Sequence, residues 1–121
     1  MDNQIFKEIK IIKEPINKKE LAHIAQKGFG DLVKAVVDVQ QEIMAIGGEL
    51  HADEEVVLTE QEDSKREHTW GINLYPEKKD EEFIEFDSMI NIKPFLNNRS
   101  RGIENSEIRK KIKNIVQKLV K

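Results

Sequence analysis

The chain has 121 residues, of which 36% are charged, and its 20 Lys and Arg against 23 Asp and Glu leave a formal net charge of −3 at pH 7. A chain of this length fits a single domain, residues 1–121, with a core of its own, and the near balance of charge provides no general field that would attract nucleic acid. The absence of cysteine excludes disulfides, thiolate nucleophiles and cysteine-ligated metal centres.

The first part of the chain predicts a strand followed by a helix. Residues 1–6 are expected to form a flexible N-terminal extension, and residues 7–13, where isoleucines alternate with lysines, a short strand. Asn17 is expected to cap the helix, because Glu20 three residues later completes a capping-box pattern. Gly28 stands where glycine commonly ends a helix.

Two runs rich in valine and isoleucine, residues 32–39 and 43–50, predict a β-hairpin. The first run is apolar enough for burial on both faces. The pair Gly47-Gly48 in the second run indicates a bulge or a close approach of backbone. Residues 53–61 are compatible with a strand or a helix, and their acidic start favours the helix.

The second half predicts two more strands and a closing helix. Residues 70–75 alternate apolar and polar side chains as a half-buried strand does, and residues 83–92 form the longest strand candidate, with Ile92 among its core-facing side chains. Residues 105–120 repeat aliphatic side chains at helical spacing, with Asn105 as the cap. These elements predict an α+β fold, a two-layer sandwich with a mostly antiparallel sheet of about five strands and two main helices on one face.

Four blocks of the sequence resemble a known family. They are IMAIGGELHAD (43–53), WGINLYP (70–76), IEFDSMINI (84–92) and NRSRG (98–102). Together they resemble a small uncharacterised prokaryotic family, a domain of unknown function, over most of the chain beyond its first residues. The resemblance implies a compact cytoplasmic protein, and it carries no catalytic residue to this sequence.

The first candidate site is the polar loop 97–102, which precedes the last helix. Arg99 and Arg101 could surround an anion, because guanidinium groups suit phosphate or carboxylate and the start of a helix favours the same charge. In the alternative, which we favour, they pair with Glu85 or Asp87 on the neighbouring strand. The predicted ligand-binding residues are Glu85, Asp87, Asn98, Arg99, Ser100 and Arg101.

The second candidate site lies at residues 49–53. In an extended strand Glu49, His51 and Asp53 would point to one side, and imidazole with two carboxylates could hold Mn²⁺ or Zn²⁺. Further ligands could come from Glu54, Glu55 or Asp87. The alternative is a strand that ends in a solvated acidic turn, with Asp53 as a helix cap. No cofactor other than a divalent metal is expected.

The third candidate site is the polar face of the last predicted strand. It carries Glu85, Asp87 and Asn91, and Asn73 and Tyr75 would join them if the two last strands pair. Such a cluster could hold a general acid–base pair. A solvated sheet face and a hydrogen-bond network with the arginine loop are the alternatives, and we favour the network.

These candidates define three hypotheses for function. The preferred one is a small cytoplasmic binding domain that holds a small anion or a phosphate-bearing metabolite near residues 97–102. The alternative is a homo-oligomeric protein–protein interaction module without a small ligand, in which a sheet face or edge strand forms a homodimer. A metal-dependent hydrolase that uses Glu49, His51 and Asp53 is the weakest, and whether the protein is an enzyme stays open.

Other classes of partner are not expected. The sequence has no P-loop, no GxGxxG, no HExxH and no GxSxG. It lacks the aromatic platforms beside a basic stripe that single-stranded nucleic acid requires. No apolar run approaches the ~20 residues of a membrane span, so we expect neither a nucleic-acid nor a membrane partner.

Overall fold

The computed structural model describes residues 8–121, so the extension expected at residues 1–6 lies outside the described chain. The elements follow in the order β1 (Lys10–Ile12), α1 (Lys18–Lys27), β2 (Val33–Asp38), β3 (Ile43–Ile46), α2 (His51–Glu62), β4 (Thr69–Leu74), β5 (Ile84–Glu85) and α3 (Ser106–Leu119). Short 3-10 turns occupy Arg66–His68, Asp80–Glu82, Met89–Asn91 and Pro94–Leu96. Between residues 8 and 121, every helix is too short or too polar to cross a membrane.

The five strands form one sheet in the order β1-β3-β2-β4-β5, and every neighbouring pair is antiparallel. β1 and β2 therefore run in the same direction on either side of β3, and α1 connects them as a crossover. The expected α+β class and the five-stranded antiparallel sheet are confirmed.

Helices cover both faces of the sheet. On one face α1 and α3 pack their apolar stripes against alternate side chains of the central strands, including Ala35, Val37 and Trp70. On the other face α2 places Val57 and Leu58 over the intervening residues of β2 and β3. The expected pair of helices on one face is present, and α2 adds a further helical layer. β4 is buried on both faces, because Ser88 and the turn Met89–Asn91 cover its second face, so the expectation of a half-buried strand at residues 70–75 is wrong.

The predicted helix boundaries depend on side-chain caps that the structure confirms. Asn17 Oδ1 accepts a hydrogen bond from the Glu20 N–H at 2.7 Å, and α1 ends at Gly28. Asn105 Oδ1 accepts from the Glu107 N–H at 2.8 Å at the start of α3. Each cap satisfies an N–H group that the helix itself leaves unpaired.

The glycines after β3 confirm the close approach of backbone expected there. Gly47 has φ +93°, and a Cβ atom at this position would lie 2.7 Å from the carbonyl oxygen of Glu8. Only glycine fits such a backbone position without strain. β3 consequently ends at Ile46, and the chain turns towards α2.

The long strand predicted at residues 83–92 is wrong, because only Ile84–Glu85 pair with β4. Beyond them, Ser88 Oγ accepts from the Ile90 N–H at 3.2 Å and begins a 3-10 turn. The side chain of Asn91 then accepts from the Gly71 N–H at 2.7 Å and donates to the Gly71 carbonyl at 2.9 Å. A carboxamide carries the donor and acceptor of a peptide group, so Asn91 replaces the strand that would otherwise pair with Gly71.

Candidate functional site

A polar row crosses the sheet on the face that carries α2. Lys34, Asn73 and Glu85 are direct neighbours on β2, β4 and β5. Asn73 Nδ2 donates to Glu85 Oε1 at 3.0 Å, and the Tyr75 hydroxyl donates to the same oxygen at 2.8 Å. The hydrogen bond to Glu85 raises the pKa of Tyr75 to about 12. The structure therefore brings together three members of the third predicted cluster, with Tyr75 as a neutral donor to a charged carboxylate.

Asp87 connects this row to the arginine loop. Its carbonyl oxygen accepts from Asn73 Nδ2 at 3.3 Å, and its Oδ1 accepts from Arg101 Nε at 2.7 Å. Arg101 thus pairs with a carboxylate of the protein itself, which is the alternative to an external anion. The pair is about half exposed, so it contributes little to stability and mainly orients the loop.

Asn98 organises the loop from inside. Its buried Nδ2 donates to the carbonyl oxygens of Asn91, Gly102 and Ser100 at 2.7, 2.8 and 3.2 Å. Its Oδ1 accepts from the Glu104 N–H at 2.8 Å. The loop therefore wraps around the carboxamide of Asn98, and contact of Asn98 with a ligand stays a prediction.

The anion position of the loop is filled by Glu104. This carboxylate accepts from the Arg99 N–H at 3.0 Å, and hydrogen bonds from the Arg99 backbone and the Ser100 hydroxyl lower the pKa of Glu104. Asn105 caps α3, so the N–H groups expected to bind an external anion are satisfied from within the chain. Within residues 8–121 the side chain of Arg99 forms no hydrogen bond or ion pair, and anion binding by Arg99 and Ser100 stays a prediction.

The extended geometry assumed for Glu49, His51 and Asp53 is wrong, because α2 begins at His51. The His51 side chain is buried, and its Nε2 lies 2.8 Å from the carbonyl oxygen of Ile72. A carbonyl only accepts, so Nε2 carries the proton. Burial lowers the pKa of His51. Among the described side chains no group of three or more His, Asp or Glu is placed to hold a metal, so the metal hypothesis gains no geometric support.

Sequence reasoning missed the role of Glu54. Its carboxyl group is fully buried, Oε2 accepts from the Gly48 N–H at 2.8 Å, and Oε1 has no hydrogen-bond partner in the described chain. Burial raises the pKa of Glu54 well above its usual value, which favours the neutral acid. The sequence feature that indicates its burial is its spacing from Val57 and Leu58, which places all three side chains on the buried side of α2.

Residues 88–98, here called the inverted segment, bury polar side chains and expose apolar ones. Its buried side chains include Ser88, Asn91, Lys93 and Asn98. Four large apolar side chains are exposed: Met89 (64%), Ile92 (38%), Phe95 (66%) and Leu96 (38%). Ile92 was expected in the core, and it is exposed because the strand that would have turned it inward does not form.

Lys93 anchors the inverted segment to the body of the protein. Its side chain is fully buried, with Nζ 3.6 Å from Glu55 Oε2 and 5.5 Å from the ring centroid of Trp70. Burial lowers the pKa of Lys93, and the neighbouring Glu55 opposes that shift. Glu55 also accepts a hydrogen bond from Thr69 at 2.6 Å. The polar interior of the segment therefore contains an ion pair at Lys93, whose Nζ has no hydrogen-bond partner among residues 8–121, whereas its large apolar side chains face outward.

Comparison with known proteins identifies the family of the chain. No curated protein and no solved structure matches it. A family model described as a protein of unknown function, DUF5674, matches residues 10–119. The expected resemblance to a family of unknown function is confirmed by this match. Because the match spans most of the 121 residues, the chain belongs to the DUF5674 family.

Proposed function

We propose that the protein is a cytoplasmic protein–protein interaction module that forms a homodimer through the inverted segment, residues 88–98. The observation that carries this proposal is the reversal of burial in that segment. Met89 and Phe95 are each more than half exposed, while Asn91 and Lys93 are fully buried. Large apolar side chains that cluster on a surface are characteristic of interaction sites.

Hydrogen bonds and an ion pair hold the backbone that carries these apolar side chains. Asn91 is hydrogen-bonded to both backbone groups of Gly71, Lys93 pairs with Glu55, and the backbone groups of Lys93 and Asn98 bond each other at 2.7 and 3.1 Å. A surface held in this way loses little conformational freedom when a partner binds. Apolar side chains on a rigid backbone therefore bind a partner more favourably than the same side chains would on a disordered loop.

A second copy of the chain is the partner that this surface fits. The four exposed side chains carry no charge, so the patch is complementary to itself, as a two-fold interface requires. Val56 on α2 is a further exposed apolar side chain, and α2 contacts the 3-10 turn that carries Met89. A standard interface buries roughly 800 Å² on each partner, so the dimer interface includes the polar surroundings of the patch as well.

The test is the oligomeric state of the full chain by analytical ultracentrifugation, at protein concentrations from about 1 to 100 μM. Wild-type protein is expected to dimerise, and Phe95→Ser to raise the dimer Kd at least tenfold, because buried aromatic side chains dominate binding energy. Phe29→Ser is the matched control, since Phe29 is 50% exposed but lies outside the segment.

Two results would contradict the homodimer. One is a wild-type protein that stays monomeric over the whole concentration range. The other is a dimer whose Kd changes equally in Phe95→Ser and Phe29→Ser, because the interface would then lie elsewhere. Circular dichroism of both variants confirms that each is folded before its Kd is compared.

A further inference from the structure

A cleft of about 330 Å³ opens between the end of α1 and the start of α2. Its walls present apolar and polar surface in nearly equal parts, and the apolar part includes Ile24, Phe29, Leu32 and Leu50. Phe29 and Leu50 are 50% and 55% exposed, so two large apolar side chains stand at an open cavity. Pockets for small molecules begin at roughly this volume and combine apolar walls with a few polar groups.

The polar groups around the cleft are predominantly positive. Lys27 and Lys34 both line it, and neither forms an ion pair within the described chain. Lys34 Nζ lies 5.0 Å from the ring centroid of Phe29, so its charge sits over the aromatic wall. Among the described residues, Glu49 is the one acidic side chain that lines the cleft. The lining therefore carries two positive charges and one negative charge.

The ends of the two helices add to this polarity. α2 begins immediately after Leu50, and within residues 8–121 no side chain caps its first N–H groups. An uncapped helix start carries partial positive charge. At the end of α1, the carbonyl oxygens of Ile24 and Ala25 accept from the N–H groups of Gly28 and Gly30. Two carbonyls at the negative end of α1 are thus bonded, whereas at the start of α2 the N–H groups of Asp53 and Glu54 bond to the Leu50 carbonyl and Asp53 adds a carboxylate to the first turn.

The floor of the cleft is fixed. Gly47 and Gly48 form it, and the Gly48 N–H donates to the buried carboxyl of Glu54. Oε1 of Glu54 lies buried behind this floor without a hydrogen-bond partner in the described residues. Because burial raises the pKa of Glu54, this side chain favours its neutral form and adds little negative charge beneath the cleft.

We propose that the cleft binds a small molecule with an apolar body and a carboxylate group. The body packs between Phe29 and Leu50, and the carboxylate faces Lys34 and the start of α2. This site is separate from residues 88–98, so it holds or fails independently of the homodimer.

Two-dimensional ¹H–¹⁵N NMR titration of the full chain tests the proposal with benzoate as the probe. Benzyl alcohol has the same ring without the charge, and acetate has the charge without the ring. Benzoate up to about 10 mM, well above a weak-ligand Kd of roughly 1 mM, is expected to shift the amide signals of Gly28, Gly48 and Leu50. Each of the two comparison compounds is expected to bind at least fivefold more weakly.

Lys34→Met removes the charge while keeping an unbranched side chain, and it is expected to weaken benzoate binding at least fivefold. Lys110→Met on the exposed surface of α3 is the matched control and is expected to leave the affinity unchanged. The proposal is overturned if benzoate shifts no cleft signal, or if benzoate and benzyl alcohol bind wild-type protein equally well. The comparison of benzoate with benzyl alcohol uses wild-type protein alone, so it tests the proposal even if Lys34→Met does not fold.

Discussion

Buried polar side chains determine the local structure of this domain at several positions. Asn98 satisfies three backbone carbonyls and one N–H group with a single carboxamide. Glu54 is the contrasting case, because one of its carboxyl oxygens has no hydrogen-bond partner among residues 8–121. A buried carboxyl group with one hydrogen bond is tolerated as the neutral acid, since the charged form would lose far more hydration.

The state of Glu54 leads to a prediction about stability and pH. Its folded-state pKa is raised above the usual value of 4.5, so between these two values the folded protein binds more protons than the unfolded chain. Its contribution to stability is therefore complete below about pH 4.5 and is lost as the pH rises through the folded pKa. Over that window one proton changes the free energy of unfolding by at most about 1.4 kcal/mol per pH unit.

Glu54→Gln removes this titration, so its stability relative to wild type is expected to increase with pH above 5. Urea unfolding of both proteins at several pH values measures the difference. His51, whose pKa is lowered by burial, acts with the opposite sign, but it is present in both proteins and cancels from the comparison. Glu60→Gln, an exposed site on the same helix, is the matched control, and Glu54→Gln should show the larger change with pH. A change with pH in Glu54→Gln no larger than that in Glu60→Gln would show that Glu54 titrates normally.

At the scale of elements, the edge of β4 is completed by a side chain rather than by a strand. β5 pairs with β4 only at Asn73 and Leu74, and Asn91 pairs with Gly71 further along the same edge. Gly71 leaves room for this arrangement, since a Cβ atom there would lie 2.5 Å from Cβ of Ser88. The edge is thus covered by a loop, which prevents pairing with another chain at that point.

Asn91→Ala should therefore release the loop from the sheet. It leaves the N–H and carbonyl of Gly71 without their partner, while the carbonyl of Arg101 keeps its hydrogen bond from the Ser88 N–H. We expect a loss of about 3 kcal/mol in the free energy of unfolding. Hydrogen exchange at the Gly71 amide should accelerate more than exchange at Val36 on the neighbouring strand. Asn114→Ala on the exposed face of α3 should change stability by less than about 0.5 kcal/mol. Unchanged protection at Gly71 in Asn91→Ala would show that its N–H has another acceptor.

The elements that the sequence predicted correctly are those whose signal is periodic or local. The capped helices α1 and α3 and the hairpin of β2 and β3 follow from hydrophobic spacing, glycine and capping residues. The helix at residues 53–61 follows from its acidic first turn. The strand at 83–92 failed because alternation continues past Glu85, although Ser88 and Asn91 redirect the backbone with their side chains. No sequence pattern distinguishes a buried asparagine that replaces peptide groups from an exposed one.

The candidate site was predictable to a similar degree. The pairing of Arg101 with Asp87 was predictable, because opposite charges within reach of each other commonly form ion pairs, and the structure confirms it. No sequence pattern singles out Glu104, which lies five residues after Arg99 and accepts a hydrogen bond from its N–H where an external anion could bind. The inverted segment could not be foreseen, because apolar side chains in a predicted strand are assigned to the core. The surface on which the proposed function rests is therefore a property of the folded chain.

On the scale of the whole molecule, the sheet separates two apolar cores that share its strands. Val36 faces the core under α2, while Ala35 and Val37 on the same strand face the core under α1 and α3. Neighbouring residues of one strand thus belong to different cores, and a strand cannot leave one core while it remains in the other. We therefore expect the domain to unfold as one cooperative unit.

Substitutions in each core test this coupling. Ile112→Ala removes buried side-chain volume on one face and Leu58→Ala on the other, and each should lower the free energy of unfolding by about 2–5 kcal/mol. Trp70, the single tryptophan, reports on the first core by fluorescence, and the amide signal of Leu58 or its replacement reports on the second by NMR. Both probes should give the same urea midpoint in each variant, because β2 transmits the loss from either face to the other.

If Leu58→Ala lowered the midpoint of the α2 signal while that of Trp70 stayed at the wild-type value, α2 would be an independent layer. The shared strands make that outcome unfavourable, since detaching α2 would expose Val36 and Ala45 while the strands carrying them stayed paired.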